Sequence, residues 1–85
     1  MDEIRILGIY VMDRIKEAGK TQQVLSRYSD IINTRLGFHE VTEQTCSRFG
    51  MIVLELEGDK SSRDEIESAL NDIEGIRVKH MKFTI

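Results

Sequence analysis

Three side chains in this 85-residue sequence are soft enough to hold a transition metal: His39, Cys46 and His80. Structural zinc sites pair their ligands a few residues apart, and these three are scattered. A metal would have to be held by ligands shared across subunits, so no metal and no cofactor is expected. Anion chemistry is better supplied. Arg35 and His39 flank Gly37. Guanidinium groups bind carboxylates and phosphates through forked hydrogen bonds. Gly8 and Gly37, lying in strands, admit a ligand or another backbone close to the chain. Gly8, Arg35, Gly37 and His39 are therefore candidate ligand-binding residues. The plainer reading is that Arg35 pairs across a hairpin with Glu55 or Glu57 and that His39 is solvated.

Catalysis is not expected. No nucleophile has a visible base and orienter, and there is no glycine-rich phosphate loop. Twelve basic residues stand against 15 acidic ones, with no basic tail or stripe, which disfavours nucleic-acid binding by this chain alone. Cys46 is the single cysteine, so no intrachain disulfide can form, and a reducing compartment is the default. No signal peptide is visible and no apolar run approaches the ~18 residues of a membrane span. A soluble, cytoplasmic, single domain over residues 1–85 is the expectation.

The elements that must position these residues begin with Ile4 to Met12, a run rich in β-branched side chains. At period two, Arg5, Leu7, Ile9 and Val11 point one way and Ile4, Ile6, Gly8, Tyr10 and Met12 the other. Both sets are largely apolar, which predicts a strand buried on both faces. Ile15 to Ser29 predicts a helix with Ile15, Ala18, Leu25 and Tyr28 inward, firm from Gln22 onward. Gly19 weakens its first turns, and Thr21 offers a later N-cap. Ile31 to Val41 alternates, with Ile32, Thr34, Leu36 and Phe38 on one face and Asn33, Arg35, Gly37 and His39 on the other. Thr42 to Ser47 is polar and loops into a strand over Phe49 to Glu57, with Ile52, Leu54 and Leu56 inward.

Gly58 and Asp59 turn the chain into a second helix. Ser62 with Glu65, or Ser61 with Asp64, supplies a capping box. Ile66, Ala69, Leu70 and Ile73 form its apolar stripe, and Gly75 stands where a left-handed cap belongs. Its acidic residues, Asp64, Glu65, Glu67, Asp72 and Glu74, make a solvated face. In the last strand Ile76 and Val78 share one phase, then the apolar phase slips to Met81, Phe83 and Ile85. A bulge, or a tail leaving the sheet, would explain the slip.

Strand, helix, strand, strand, helix, strand, with right-handed crossovers, gives a ferredoxin-like α+β fold. A four-stranded antiparallel sheet carries both helices on one face, with the first and third strands central. The helix-free face presents Gly8, Tyr10, Asn33, Arg35, Gly37, His39, Met51, Val53, Arg77 and Lys79. A chain this short covers one face with its own helices, so a second molecule is expected on the other. Acylphosphatases share the topology, but their arginine-bearing glycine loop is not matched by Met12 to Gly19, MDRIKEAG.

Two stretches, ILGIYVMDR (Ile6 to Arg14) and LSRYSDIINTRLG (Leu25 to Gly37), resemble a family of small bacterial proteins, the iron-only hydrogenase system regulators. EGIRVKHMKF (Glu74 to Phe83) is similar to that family's terminal strand. Tyr28, Arg35 and Gly37 fall at matching places. That family belongs with ACT-like regulatory domains and is similar to the C-terminal domain of nickel-responsive repressors. The resemblance implies an ACT-like regulatory role, side-by-side or face-to-face assembly, and a ligand loop at Asp13–Arg14. The sequence departs from the family at Phe38-His39-Glu40, where isoleucine-proline-tyrosine is usual. It departs again at Asn71 to Glu74, where glycine-lysine-leucine-glycine is expected, and it lacks the proline-glycine that often follows Arg14.

The reading is therefore a small regulator, possessing no DNA-binding segment, that acts as a dimer or tetramer through the helix-free face and binds a small anionic effector. A metal-responsive module using His39, Cys46 or His80, and a ligand-free interaction domain, are the alternatives.

Overall fold

The computed structural model describes residues 3–38 and 50–85; the side chains at positions 14, 15 and 38 lie outside that set. Its elements are β1 (Glu3–Val11), α1 (Arg14–Arg27), a 3-10 turn (Ser29–Ile31), β2 (Ile32–Phe38), β3 (Gly50–Leu56), α2 (Lys60–Asn71) and β4 (Ile76–Thr84). The sheet order is β2-β3-β1-β4 and every neighbouring pair is antiparallel. This is the ferredoxin-like arrangement that the sequence predicts, with β1 and β3 central.

Alternation along β1 sends Leu7, Ile9 and Val11 into one core with Leu54 and Leu56 of β3. Val24 and Leu25 of α1 and Ile66 and Leu70 of α2 close that core from above, so both helices cover the same face. Each fully buried Leu or Ile there contributes about 1.5–3 kcal/mol. The second face of β1 is only half-buried: Ile4, Ile6, Gly8 and Tyr10 retain partial exposure.

Helix α1 runs unbroken through Gly19, without the frayed start that its sequence suggests. Its inner face is also rotated from the expected one. Glu17, Thr21, Val24 and Leu25 are buried and Ala18 is exposed. Two polar residues on the buried stripe hide it from a hydrophobicity pattern. Thr21 is mid-helix and no cap. Helix α2 starts before the predicted capping box. Asp59 caps it, its Oδ1 accepting from the Ser62 N–H at 2.8 Å. Those hydrogen bonds from Ser62 hold the Asp59 carboxyl below its usual range.

Two turns depend on glycine. Gly58 (φ +87°) and Gly75 (φ +92°) occupy the left-handed region. A Cβ at Gly58 would sit 2.8 Å from Ile31 Cγ2, and one at Gly75 would sit 2.9 Å from Glu17 Oε1. Gly75 is not the cap of α2, which ends at Asn71 with Asp72 right-handed. It serves the turn into β4, and its carbonyl accepts from the Met12 N–H at 3.0 Å, tying that turn to the end of β1.

The register corrects two expectations. β4 pairs with β1 without a break from Glu3↔Thr84 to Val11↔Ile76, so it neither bulges nor leaves the sheet. The irregularity lies in β2, where the register shifts between Ile32 and Thr34. Ile32 shares the helix side with Leu56. One extra residue later, Thr34 and Leu36 share the open side with Glu55 and Val53, while Arg35 and Gly37 share the helix side with Leu54 and Ile52. A bulge inverts every side chain beyond it. The reading that put Arg35 and Gly37 on the helix-free face is thus overturned.

Alanine at Gly58 or Gly75 is expected to lower unfolding free energy by at least about 1–2 kcal/mol, the strain of a left-handed non-glycine residue. Alanine at Gly19, which has nothing within 4 Å of its Cβ position, is expected to raise it by about 0.5–1 kcal/mol. Urea unfolding of the three variants measures both signs.

Candidate functional site

The helix-free face is laid out in rows by the strand register. Ile4 pairs with Phe83 at one end. The next row runs Thr34, Glu55, Ile6, Met81, and the one after it Leu36, Val53, Gly8, Lys79. Met51, Tyr10 and Arg77 make the last row, nearest the β1–α1 turn. Leu36 on the β2 edge and Met81 and Phe83 on the β4 edge are 59%, 57% and 51% exposed, high for side chains of that size. Gly8 stands inside this apolar field, and a Cβ there would meet nothing within 4 Å. The missing side chain leaves a hollow.

The β1–α1 turn holds two more candidates. Asp13 Oδ1 accepts from the Lys16 N–H at 3.3 Å and its carbonyl accepts from the Glu17 N–H at 2.9 Å, so Asp13 caps α1. A short carboxylate before a helix is a helix-start signal as well as a ligand signal. Arg14 is the first residue of α1.

The remaining candidates do not join these. Arg35 Nη2 donates to Gln22 Oε1 of α1 at 2.7 Å, on the far side of the sheet from Gly8. It does not pair with Glu55, which instead accepts from Asn33 Nδ2 at 3.3 and 3.4 Å. Gly37 is beside Ile52 on that same helix side. His39 and Cys46 lie outside the described residues. Of the six candidates the structure gathers Gly8, Asp13 and Arg14 toward one end of β1 and separates Arg35 and Gly37 from them. Arg77 is the cation brought to that end, opposite Tyr10. Period two in β4 marks its face, but only the register with β1 gives its neighbour.

The densest charge lies on the other side. Arg5 belongs to the buried face of β1 and is 1% exposed. Its Nη1 donates to Asp64 Oδ1 at 2.8 Å and to Glu67 Oε1 at 3.2 Å, and its Nε donates to Glu3 Oε2 at 3.1 Å. Arg5 Nη2 also lies 3.1 Å from Glu3 Oε2, an ion pair without hydrogen-bond alignment. Arg63, equally buried, donates from Nη1 to the Gly58 carbonyl at 2.7 Å and sets Nε 3.3 Å from Glu3. His80 Nδ1 is 2.6 Å from Glu67 Oε2. An ionised carboxylate only accepts, so Nδ1 is the donor. Asp64 and Glu67 are therefore not members of a merely solvated acidic face. Burial works against the charge on Arg5, but its hydrogen bonds to Asp64 and Glu3 outweigh it and raise its pKa. Lys60, then Arg5, holds the Asp64 carboxyl down at about 2. The shallow groove between α2 and β4 is lined by this same cluster with Ser68, Asn71, Asp72 and Lys82. No group of three potential metal ligands gathers among the described residues, nor is any helix there long and apolar enough to cross a membrane.

No protein-family model and no curated protein matches the chain. An uncharacterized protein from Thermotoga maritima is similar in structure, with a TM-score of 0.81 and 26% identity over 98% of this chain and 100% of that one. A de novo designed protein, Foldit4, is similar with a TM-score of 0.59 and 14% identity over 100% of this chain and 99% of that one. A dimeric ferredoxin-like protein of unknown function from Thermobifida fusca aligns at 9% identity with a TM-score of 0.48, over 99% of this chain and 92% of that one. A ferredoxin-like fold does not by itself specify an activity.

Arg5→Leu is expected to destabilise the protein by about 3 kcal/mol, because Glu3, Asp64 and Glu67 are left facing one another. Urea unfolding at neutral pH measures it. Asp64 also sets an acid limit. Its folded pKa, about 2, lies below its ordinary 3.8. Its contribution is thus complete above about pH 4 and lost as pH falls toward 2. The melting-temperature gap between wild type and Asp64→Asn should be open at pH 7 and closed near pH 2.

Proposed function

We propose that this chain is a small ACT-like regulatory protein, not an enzyme, whose working form is a homo-oligomer joined through the helix-free face of its sheet. The carrying observation is that face. Exposed Leu36, Met81 and Phe83 adjoin half-buried Ile4, Ile6, Tyr10, Met51 and Val53, and neither helix covers them. Large contiguous apolar patches mark association surfaces. The small domain has the more to gain from covering one, since its own core is limited to the opposite face.

The effector is a small anion bound near the Asp13–Arg14 turn. Three features support this placement: the N-terminus of a 14-residue helix with its positive dipole end, the cation Arg77 in the row nearest the turn, and the resemblance of Asp13 and Arg14 to the ligand loop of ACT-like regulators. The resemblance to iron-only hydrogenase system regulators also supports a role in controlling gene expression or metabolism, exercised through a partner that supplies nucleic-acid contacts. Arg35 is left out of this site, because it serves α1 through Gln22.

Light scattering after size exclusion, over a dilution series, should return a dimer or tetramer at high concentration; a monomer at every concentration would remove the reading. Thermal melting with inorganic phosphate and with citrate should show an upward shift for at least one of them. That shift is expected to vanish in Arg14→Ala and to persist in Arg35→Ala. The reverse pattern would return the site to the helix side of β2.

A further inference from the structure

The two edges of the sheet differ. β2 is seven residues long and its register shifts between Ile32 and Thr34. β4 runs for nine residues without proline and pairs with β1 in unbroken register. Proteins blunt their edge strands with shortness, bulges, proline or charge, and β4 has only charge. The bond from the Met12 N–H to the Gly75 carbonyl continues the β1–β4 register and fixes its hydrogen-bonding phase. In an antiparallel pair, alternate residues direct both backbone groups at the neighbouring strand. Arg77, Lys79, Met81 and Phe83 therefore bond β1. Ile76, Val78, His80, Lys82 and Thr84 direct their N–H and C=O groups outward, where the sheet has no further strand among the described residues.

The side chains of β4 define the strand that would fit there. Arg77, Lys79 and Lys82 are cations, and β4 carries no carboxylate. On the helix-free side Arg77 and Lys79 have no ion pair among the described residues. Met81 and Phe83 follow them on that side, more than half exposed. On the helix side Lys82 shares a groove with Asp64, Glu67 and Asp72, and His80 is held by Glu67. That side calls for no further charge. We propose that β4 takes up an extended acidic segment of another protein as an antiparallel fifth strand. From its N-terminus the segment sets two apolar side chains, at alternate positions, against Phe83 and Met81. Two carboxylates at the next alternate positions then meet Lys79 and Arg77. Main-chain hydrogen bonds supply affinity in such an addition, and the alternating side chains supply specificity.

A strand added about 4.8 Å from β4 would cover the outer flanks of Met81 and Phe83, which β1 lines on one side only. A second copy of β4 is the poorer occupant. Pairing two such edges gathers Arg77, Lys79 and Lys82 of both chains into one ribbon with no anion on either strand, and like charges on paired strands repel. The proposal goes beyond the face-to-face reading, which uses the flat of the sheet and leaves the backbone edge of β4 free.

The probe is a fluorescein-labelled, C-amidated peptide of sequence valine-threonine-valine-threonine-glutamate-threonine-glutamate, titrated with the full chain and read by anisotropy. Circular dichroism confirms that each protein variant is folded. Wild type should bind this peptide, and a peptide with lysine in place of both glutamates should bind at least about tenfold more weakly. Lys79→Glu should weaken the acidic peptide at least about fivefold. Lys82 separates strand addition from plain charge attraction. Its N–H points outward, so proline is tolerated there as on other edges, but it removes a bond to the incoming strand. Lys82→Thr should bind within a few-fold of wild type, and Lys82→Pro at least about tenfold more weakly than Lys82→Thr. Equal binding by those two variants would overturn the fifth strand, and equal binding of the two peptides would overturn the acidic preference. No binding by wild type would defeat the proposal outright. An oligomer that Lys82→Pro breaks up, as seen by light scattering, would assign the edge to a second copy instead.

Discussion

A guanidinium stands where a core side chain is due. Arg5 follows the same phase as Leu7, Ile9 and Val11, and is as buried as they are. A charge in that position must be matched, and the matching groups come from α2: Asp64 and Glu67, with Glu3 from the same strand. This requirement shapes one end of the molecule. The residues of β4 that share this side near Arg5 are His80 and Lys82, not aliphatic ones, and His80 reaches Glu67. The apolar side chains of that half of β4, Met81 and Phe83, are consequently on the opposite face. What looks like a slip in the hydrophobic pattern is a handover between faces in a strand of constant register.

The open face follows from that handover. With the helix side occupied by ion pairs at one end and by aliphatic core at the other, the apolar residues in excess of what two helices can cover collect on the bare side. Their extent is larger than an isolated exposed Leu or Met, which would call for no explanation. The same face carries Arg77 and Lys79 on its β4 edge and Glu55 on the central strand β3.

The turn where a ligand is proposed draws on a different set of forces. Asp13 terminates β1 and caps α1, and the Met12 N–H bonds the Gly75 carbonyl, which holds the turn against the start of β4. A helix end, a nearby cation and the rim of the apolar face thus come together through backbone geometry. Arg35, which looked from the sequence like the natural cation for the site, is spent instead on tying β2 to α1.

Element order, the central places of β1 and β3, the inward stripe Ile66 and Leu70 of α2 and the inward set of β3 were all legible in the sequence, because period 2 and period 3.6 are local properties. The apolar second face of β1 was legible for the same reason. What tertiary structure decided was every feature that depends on a neighbour. The extra residue at Asn33 leaves no mark in an alternating run, yet it moved Arg35 and Gly37 across the sheet. The inner stripe of α1 is masked by Glu17 and Thr21, whose burial is imposed by what packs on them. Asp59 outcompeted the serines as a cap because the turn at Gly58 places its carboxylate at the first free N–H groups. Spacing along a chain tells which side chains share a side; only pairing between strands, with one residue more or less, tells which side that is.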